Sequence, residues 1–190
     1  AAAKAINDNE LNNLRAEPYY FEAKYSKKFD RKMAPTDEEL LLKVGARVMF
    51  VNNHSGGAWV NGSIGDIVHI DADMDEITVR LSNGIEVPVS PHKWQMYKYA
   101  YDANNNTLLQ ESAGSFTQFP LKLAWAITIH KSQGKTFDNV IVDFGQRAFA
   151  QGQVYVALSR CTDLSGLRLK RPLRLSDIIV DQAIYSWEAT

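Results

Sequence analysis

Along the first quarter of the chain the apolar positions are spaced first for a helix and then for a strand. Ile6, Leu11 and Leu14 stand among polar residues over 4–14, which predicts a short surface helix, and Tyr19–Tyr25 alternates as a strand would. Ser26–Glu39 is polar, mixed in charge and interrupted by Pro35, so it reads as a linker. From Leu40 to about Ser90, short apolar runs separated by Gly, Asn and Asp follow one another: Ala46–Val51, Ile64–Ile70, Ile77–Leu81 and Ile85–Val89. Asn83-Gly84 is placed as a hairpin turn between the last two. Short strands at this spacing, a polar loop at Asn52–Gly57 and no helical period predict a small SH3-like or similar five-stranded barrel within residues 31–115.

Tyr101–Gly114 reads as a polar, Asn-rich connection, after which helix and strand patterns alternate. Pro120, apolar Leu121 to Ile129 and Gly134 beyond them suit a helix, and the same stretch opens equally well as a strand. Val140–Phe144 is a buried-type strand. Gln151–Arg160 is a helix with Val154, Ala157 and Leu158 on one side, Leu167–Leu169 a short strand, and Asp177–Trp187 a helix capped by Ser176. Such alternation predicts an α/β layer with parallel strands. Because residues 1–25 also read helix then strand, the economical topology joins 1–30 and 116–190 in one α/β domain, with the barrel inserted between them. No internal repeat is present.

Composition narrows the class without deciding it. A length of 190 residues predicts one or two domains, and 45% hydrophobic with 23% charged residues is ordinary for a globular protein, excluding collagen-like or disordered bias. One cysteine, Cys161, excludes an internal disulfide and a multi-cysteine zinc site. It suits a reducing compartment, the cytoplasm of a bacterium or the nucleus or an organelle of a eukaryote. No apolar run reaches the ~18 residues a membrane span needs, so a soluble protein with no membrane partner is expected. Four dispersed histidines (54, 69, 92 and 130) offer no second ligand at metal spacing. Trp59, Trp94, Trp125 and Trp187 read as packing residues, with Trp59 beside Gly56-Gly57 the one placed to stack on a base.

Charge is balanced overall, at −1, but unevenly placed: residues 1–43 are neutral, 44–119 carry −4, 120–171 carry +5 and 172–190 carry −2. The basic block holds Lys122, Lys131, Lys135, Arg147, Arg160, Arg168, Lys170 and Arg171. It is either a solvated face or a site for the phosphates of a nucleotide or nucleic acid. Gly134-Lys135-Thr136 resembles the end of a phosphate-binding loop, but Ile129 occupies the position of the first required glycine, so no complete phosphate cradle is present.

What stands there is Thr128-Ile129-His130-Lys131-Ser132-Gln133-Gly134-Lys135-Thr136, followed by Gln151-Gly152-Gln153-Val154-Tyr155-Val156-Ala157-Leu158-Ser159-Arg160. These strings resemble motifs V and VI of superfamily 1 helicases, most closely the RecD-like and petite-integration-frequency branch that moves 5′ to 3′ on single-stranded DNA. Pro35–Leu40, Leu42–Phe50 and Trp59–Gly65 resemble the segment that opens the inserted barrel in that branch. The resemblance covers roughly residues 5–175 and implies a second RecA-like motor domain.

By the resemblance, Arg160 is the arginine finger that reaches the γ-phosphate of ATP. Gly134, Gln153 and Tyr155 border the nucleotide, and Thr128, His130, Lys131, Ser132 and Gln133 grip the DNA backbone. Such a grip on phosphates reads no base identity. ATP and Mg2+ would be held mainly by an N-terminal RecA-like domain outside this chain, which is therefore expected to be a carboxy-terminal part, inactive alone as an ATPase. Expected partners are single-stranded DNA and that N-terminal domain, with a protein partner at the barrel as a further option. By residue type alone, Arg160 reads as a surface ion-pair partner and His130 as a core histidine. Two rivals stay open: a non-catalytic module binding single-stranded DNA or protein, and a small NTPase using Gly134-Lys135-Thr136.

Overall fold

The computed structural model describes residues 2–27, 29–102 and 107–180. The chain is a mixed α/β protein that divides into two compact units, Ala1–Ala126 and Ile127–Thr190.

The first unit opens with helix α1 (Ala2–Asn13), which buries Leu11 as its spacing predicts. Asn7 is also buried: its side-chain amide donates to the carbonyls of Leu123 and Ala126 and accepts from the Ala126 N–H at 2.8 Å. Strand β1 (Tyr19–Glu22) breaks at Ala23 before β2 (Lys24–Lys27), and each finds a different sheet. β1 pairs antiparallel with β3 (Glu39–Leu42). The main sheet is antiparallel, built from β4 (Arg47–Phe50), β5 (Ile64–Asp71), β6 (Glu76–Leu81), β7 (Glu86–Val89) and β10 (Leu121–Leu123) in the order β10-β4-β5-β6-β7. Its inward positions, including Val48, Phe50, Ile77, Val79 and Val89, are sealed from solvent together with Leu42. The Asn83-Gly84 turn forms as expected: Gly84 sits at φ +83°, and the Asn83 side chain accepts from the Ile85 N–H.

Three expectations change here. The five strands leave β10 and β7 as edges, and among the described residues no sheet closes into a barrel. Where a connection at 101–114 is expected, the described residues are instead the end of β8 (His92–Asp102) and much of β9 (Thr107–Gln118), long antiparallel strands that β2 extends to a three-stranded sheet. Phe116 is buried near its base, but Tyr97, Tyr99, Tyr101 and Leu108 farther out are all exposed, so that part lacks the buried apolar positions that mark a half-buried strand. Finally, of the two readings of 121–129 the strand applies at Leu121–Leu123, where β10 pairs with β4.

The second unit holds β11 (Val140–Val142), a short helix α2 (Gln153–Leu158) and β12 (Leu167–Leu169). β11 and β12 pair in parallel, Val140 opposite Leu167 and Val142 opposite Leu169, as the alternating pattern predicts. A small cluster of Val142, Phe144, Ala148 and Ala157 is buried beneath them. Of the expected helix at Asp177–Trp187, residues 181–187 lie outside the described residues; Leu175–Asp177 forms a 3-10 turn.

Candidate functional site

The segment 128–136 folds into one tight turn held by its own backbone. Ile129 leads into a 3-10 turn at His130–Ser132, the Ser132 N–H donating to the Thr128 carbonyl at 3.0 Å. The Thr128 hydroxyl oxygen accepts from the Lys131 N–H, and the buried Ser132 hydroxyl donates to the Ile129 carbonyl at 2.6 Å. Ser132 therefore stabilises the turn from inside, while Thr128, His130, Lys131 and Gln133 are exposed around it. Gly134 ends the turn at φ +73°, a left-handed conformation that glycine adopts without strain. Lys135 is half-buried, and its burial lowers the pKa of the ammonium.

Helix α2 presents the second string. Gly152, at φ +66°, precedes the helix, and the Gln153 side-chain oxygen folds back to accept from the N–H groups of Phe149 and Ala150 at 2.9 and 3.2 Å. Gln153 thus ties down the loop before the helix and keeps only its amide N–H groups for another partner. Tyr155 points outward, 76% exposed.

Arg160 follows the helix, half-buried, with no carboxylate within 4 Å among the described residues. Its Nε–H donates to the Val156 carbonyl at 2.9 Å, Nη1 to the Lys135 carbonyl at 3.3 Å and Nη2 to the Ser159 hydroxyl oxygen at 2.8 Å. Three of its five N–H groups are thereby engaged with neutral oxygens and two remain for an anion. The backbone on either side of Arg160 is pinned as well, because the Phe137 N–H donates to the Arg160 carbonyl and the Thr162 N–H to the Phe137 carbonyl. The structure thus brings Arg160 onto the end of the 128–136 segment. The ordinary ion-pair role that residue type alone suggests for Arg160 is not what it adopts.

Sequence reasoning passed over a polar clamp on the loop before α2. Asp177 is fully buried, and its carboxylate accepts from Arg171 twice at 2.7 Å and from the N–H groups of Arg174 and Ala148. Arg171 also donates from Nε to the Gly145 carbonyl at 2.7 Å, so one ion pair fixes the loop before α2. The Arg171 guanidinium, with the two backbone N–H groups, holds the Asp177 carboxyl well below the usual carboxylate range. Asp143 is lowered in the same way by Lys170, at 2.7 Å, and by the Gly145 N–H. The one available signal was a carboxylate directly ahead of the apolar run Ile178–Val180.

Trp59, the one tryptophan set beside a glycine loop, is buried, its ring between Phe50 and His54 at 4.4 and 4.3 Å and its N–H on Asn52. Among the described residues no group of three His, Cys, Asp or Glu is placed to hold a metal ion, and no helix is long and apolar enough to cross a membrane.

Comparison with known proteins finds similarity to DNA helicases. Residues 123–167 match the UvrD-like helicase C-terminal domain. The chain is 45% identical over 139 residues to the ATP-dependent DNA helicase Pif1 of Bdellovibrio bacteriovorus, covering 73% of this chain and 29% of that protein. It superposes with TM-score 0.88 on unliganded Pif1 from Bacteroides sp, at 37% identity, covering 99% of this chain and 42% of the other. A Bacteroides Pif1 structure in complex with ADP-AlF3 and ssDNA gives 0.77, at 37% identity and the same coverage. The chain thus resembles the C-terminal part of Pif1-type helicases and spans less than a third of that Bdellovibrio relative.

Proposed function

We propose that this chain is the C-terminal part of an ATP-dependent 5′–3′ DNA helicase, contributing the strand-gripping segment 128–133 and the arginine finger Arg160. In this reading residues 1–30 and 116–190 belong to the second RecA-like motor domain and 31–115 to an inserted β unit, open to a protein partner. The N-terminal motor domain of the full-length parent protein holds ATP and Mg2+.

The observation that carries the proposal is the hydrogen bond from Arg160 Nη1 to the Lys135 carbonyl. It joins the finger to the end of the segment whose exposed Thr128, His130, Lys131 and Gln133 offer hydroxyl, imidazole, ammonium and amide donors to a phosphate backbone. The buried Ser132 hydroxyl serves by shaping the turn. A change of grip at 128–133 is thereby felt at the guanidinium through a few bonds of backbone.

The residues present fit a nucleotide. Among the described residues Arg160 is unpaired with any carboxylate and has two N–H groups left, and it is planar and permanently charged, which suits the charge that develops in phosphoryl transfer. Bound ATP supplies the phosphoryl group whose transfer to water drives the motor. Gly134 adds no side chain beside the finger, Gln153 has only amide donors left for the nucleotide, and Tyr155 offers an exposed ring. The Bacteroides relative in complex with ADP-AlF3 and ssDNA supports both ligand classes.

The test is Arg160→Ala in the full-length parent protein. ATP-driven unwinding and DNA-stimulated ATP hydrolysis are expected to fall by roughly a thousandfold, the scale of an arginine finger, with single-stranded DNA binding retained. Normal ATP turnover in that variant, or turnover by the present chain alone, would overturn the assignment.

A further inference from the structure

We infer that Ser159 is a positioning residue for the Arg160 guanidinium, an inference that rests on the reading of Arg160 as the finger. Arginine has among the largest rotamer freedoms of any side chain, and a half-exposed one after a short helix is not oriented by packing alone. Here the orientation comes from a closed cycle of three hydrogen bonds. Arg160 Nε–H donates to the Val156 carbonyl at 2.9 Å, and Arg160 Nη2 donates to the Ser159 hydroxyl oxygen at 2.8 Å. The same hydroxyl donates to the Val156 carbonyl at 3.1 Å.

Two features separate this from a serine that merely returns its hydroxyl to its own helix, a common local bond. First, the hydroxyl is used in both directions, its proton spent on Val156 and its lone pair on the guanidinium, so it fixes the plane of the fork and not only the last helical turn. Second, the other two anchors of the guanidinium, the carbonyls of Val156 and Lys135, are backbone atoms that any sequence supplies. Among the anchors of the finger, Ser159 is the one that depends on residue type. With its oxygen gone, Nη2 loses its partner and the fork is held only by Nε on Val156 and by the longer 3.3 Å bond from Nη1 to Lys135, a looser hold on its direction toward a phosphate.

The experiment uses two readouts. In the full-length parent protein, with ATP and an oligo-dT strand, Ser159→Ala is expected to lower kcat roughly tenfold, the scale of one hydrogen bond to a charged group, with KM for ATP and oligo-dT affinity unchanged. Ser159→Thr, which keeps the oxygen, is expected to restore kcat to within about twofold; Ser159→Cys, which keeps the volume and weakens the acceptor, is expected to lose as Ala does. In the 15N-labelled present chain, the Arg160 Nε–H is expected to exchange with water faster in Ser159→Ala and Ser159→Cys than in wild type or Ser159→Thr. Unchanged kcat in Ser159→Ala, or equal losses in Ala and Thr, would overturn the inference, as would unchanged Nε–H exchange. Should Arg160→Ala itself keep normal turnover, the finger reading falls, while the exchange readout still reports whether Ser159 orders the guanidinium.

Discussion

The two units keep their shape by different means. In the first, fifteen buried apolar residues among those described, Phe50, Ile77, Val79 and Leu11 of α1 included, form one continuous core. In the second, the buried apolar cluster has four members among the described residues, and much of the order there comes from charged groups: Arg171 on Asp177, Lys170 on Asp143 and Arg160 on three oxygens. The residues assigned to chemistry lie in the second unit. A site that must grip and release phosphates needs cations and movable loops, and these come at the expense of apolar burial. Hydrophobic burial is indifferent to pH and depends on volume; the polar clamps depend on charge state and geometry.

That contrast can be broken in order of expected effect. Phe50→Ala removes a fully buried ring stacked on Trp59 and should destabilise the first unit by about 3–5 kcal/mol, read by denaturant unfolding of its tryptophan fluorescence. The amide signals of β11 and β12 should keep their dispersion; their joint loss would show that the two units unfold as one.

Acid is the complementary probe. Because Arg171 holds the folded Asp177 below the ordinary carboxylate value of about 4, its contribution is fully present above that value and is lost as pH falls below it toward the folded pKa. Asp143 acts in the same direction. Titration from pH 6 to 2, followed by amide exchange, should release residues 140–177 before the strands of the first unit, and Asp177→Asn at neutral pH should reproduce part of that loosening. Release of both units together would erase the distinction. The smallest effect belongs to an ion pair of the first unit: Arg80 and Glu86 meet at 2.7 Å but are about half exposed, so Arg80→Ala should change stability by less than about 1 kcal/mol.

How legible each unit was follows from the same difference. β5, β6 and β7 alternate apolar and polar residues because one face is buried, and the pattern located them to within a few residues. The outer part of β8 and β9 hid from the same reasoning, since Tyr97, Tyr99 and Tyr101 on one strand and Leu108 on the other meet solvent, and burial is confined to residues near the base such as Phe116. In the second unit β11, α2 and β12 were readable as short apolar runs, and Arg160 from its place in a recognisable string. The clamp was not. Asp177 meets the N–H of Ala148, twenty-nine residues earlier, and the Arg171 side chain meets the Gly145 carbonyl, twenty-six residues earlier, separations that leave no periodic trace. Nor could spacing tell that Ser132 would turn inward, since only the 3-10 turn at His130–Ser132 separates its fate from that of Lys131.

Gly166 places a mutational hot spot inside this small unit. A Cβ at that position would lie 1.8 Å from the Asp138 carbonyl oxygen, far inside van der Waals contact, just where the chain enters the parallel pairing of β12 with β11. Every missense change of a glycine codon adds a Cβ, so a single nucleotide substitution in the gene suffices to push that carbonyl away, several residues from the proposed finger Arg160.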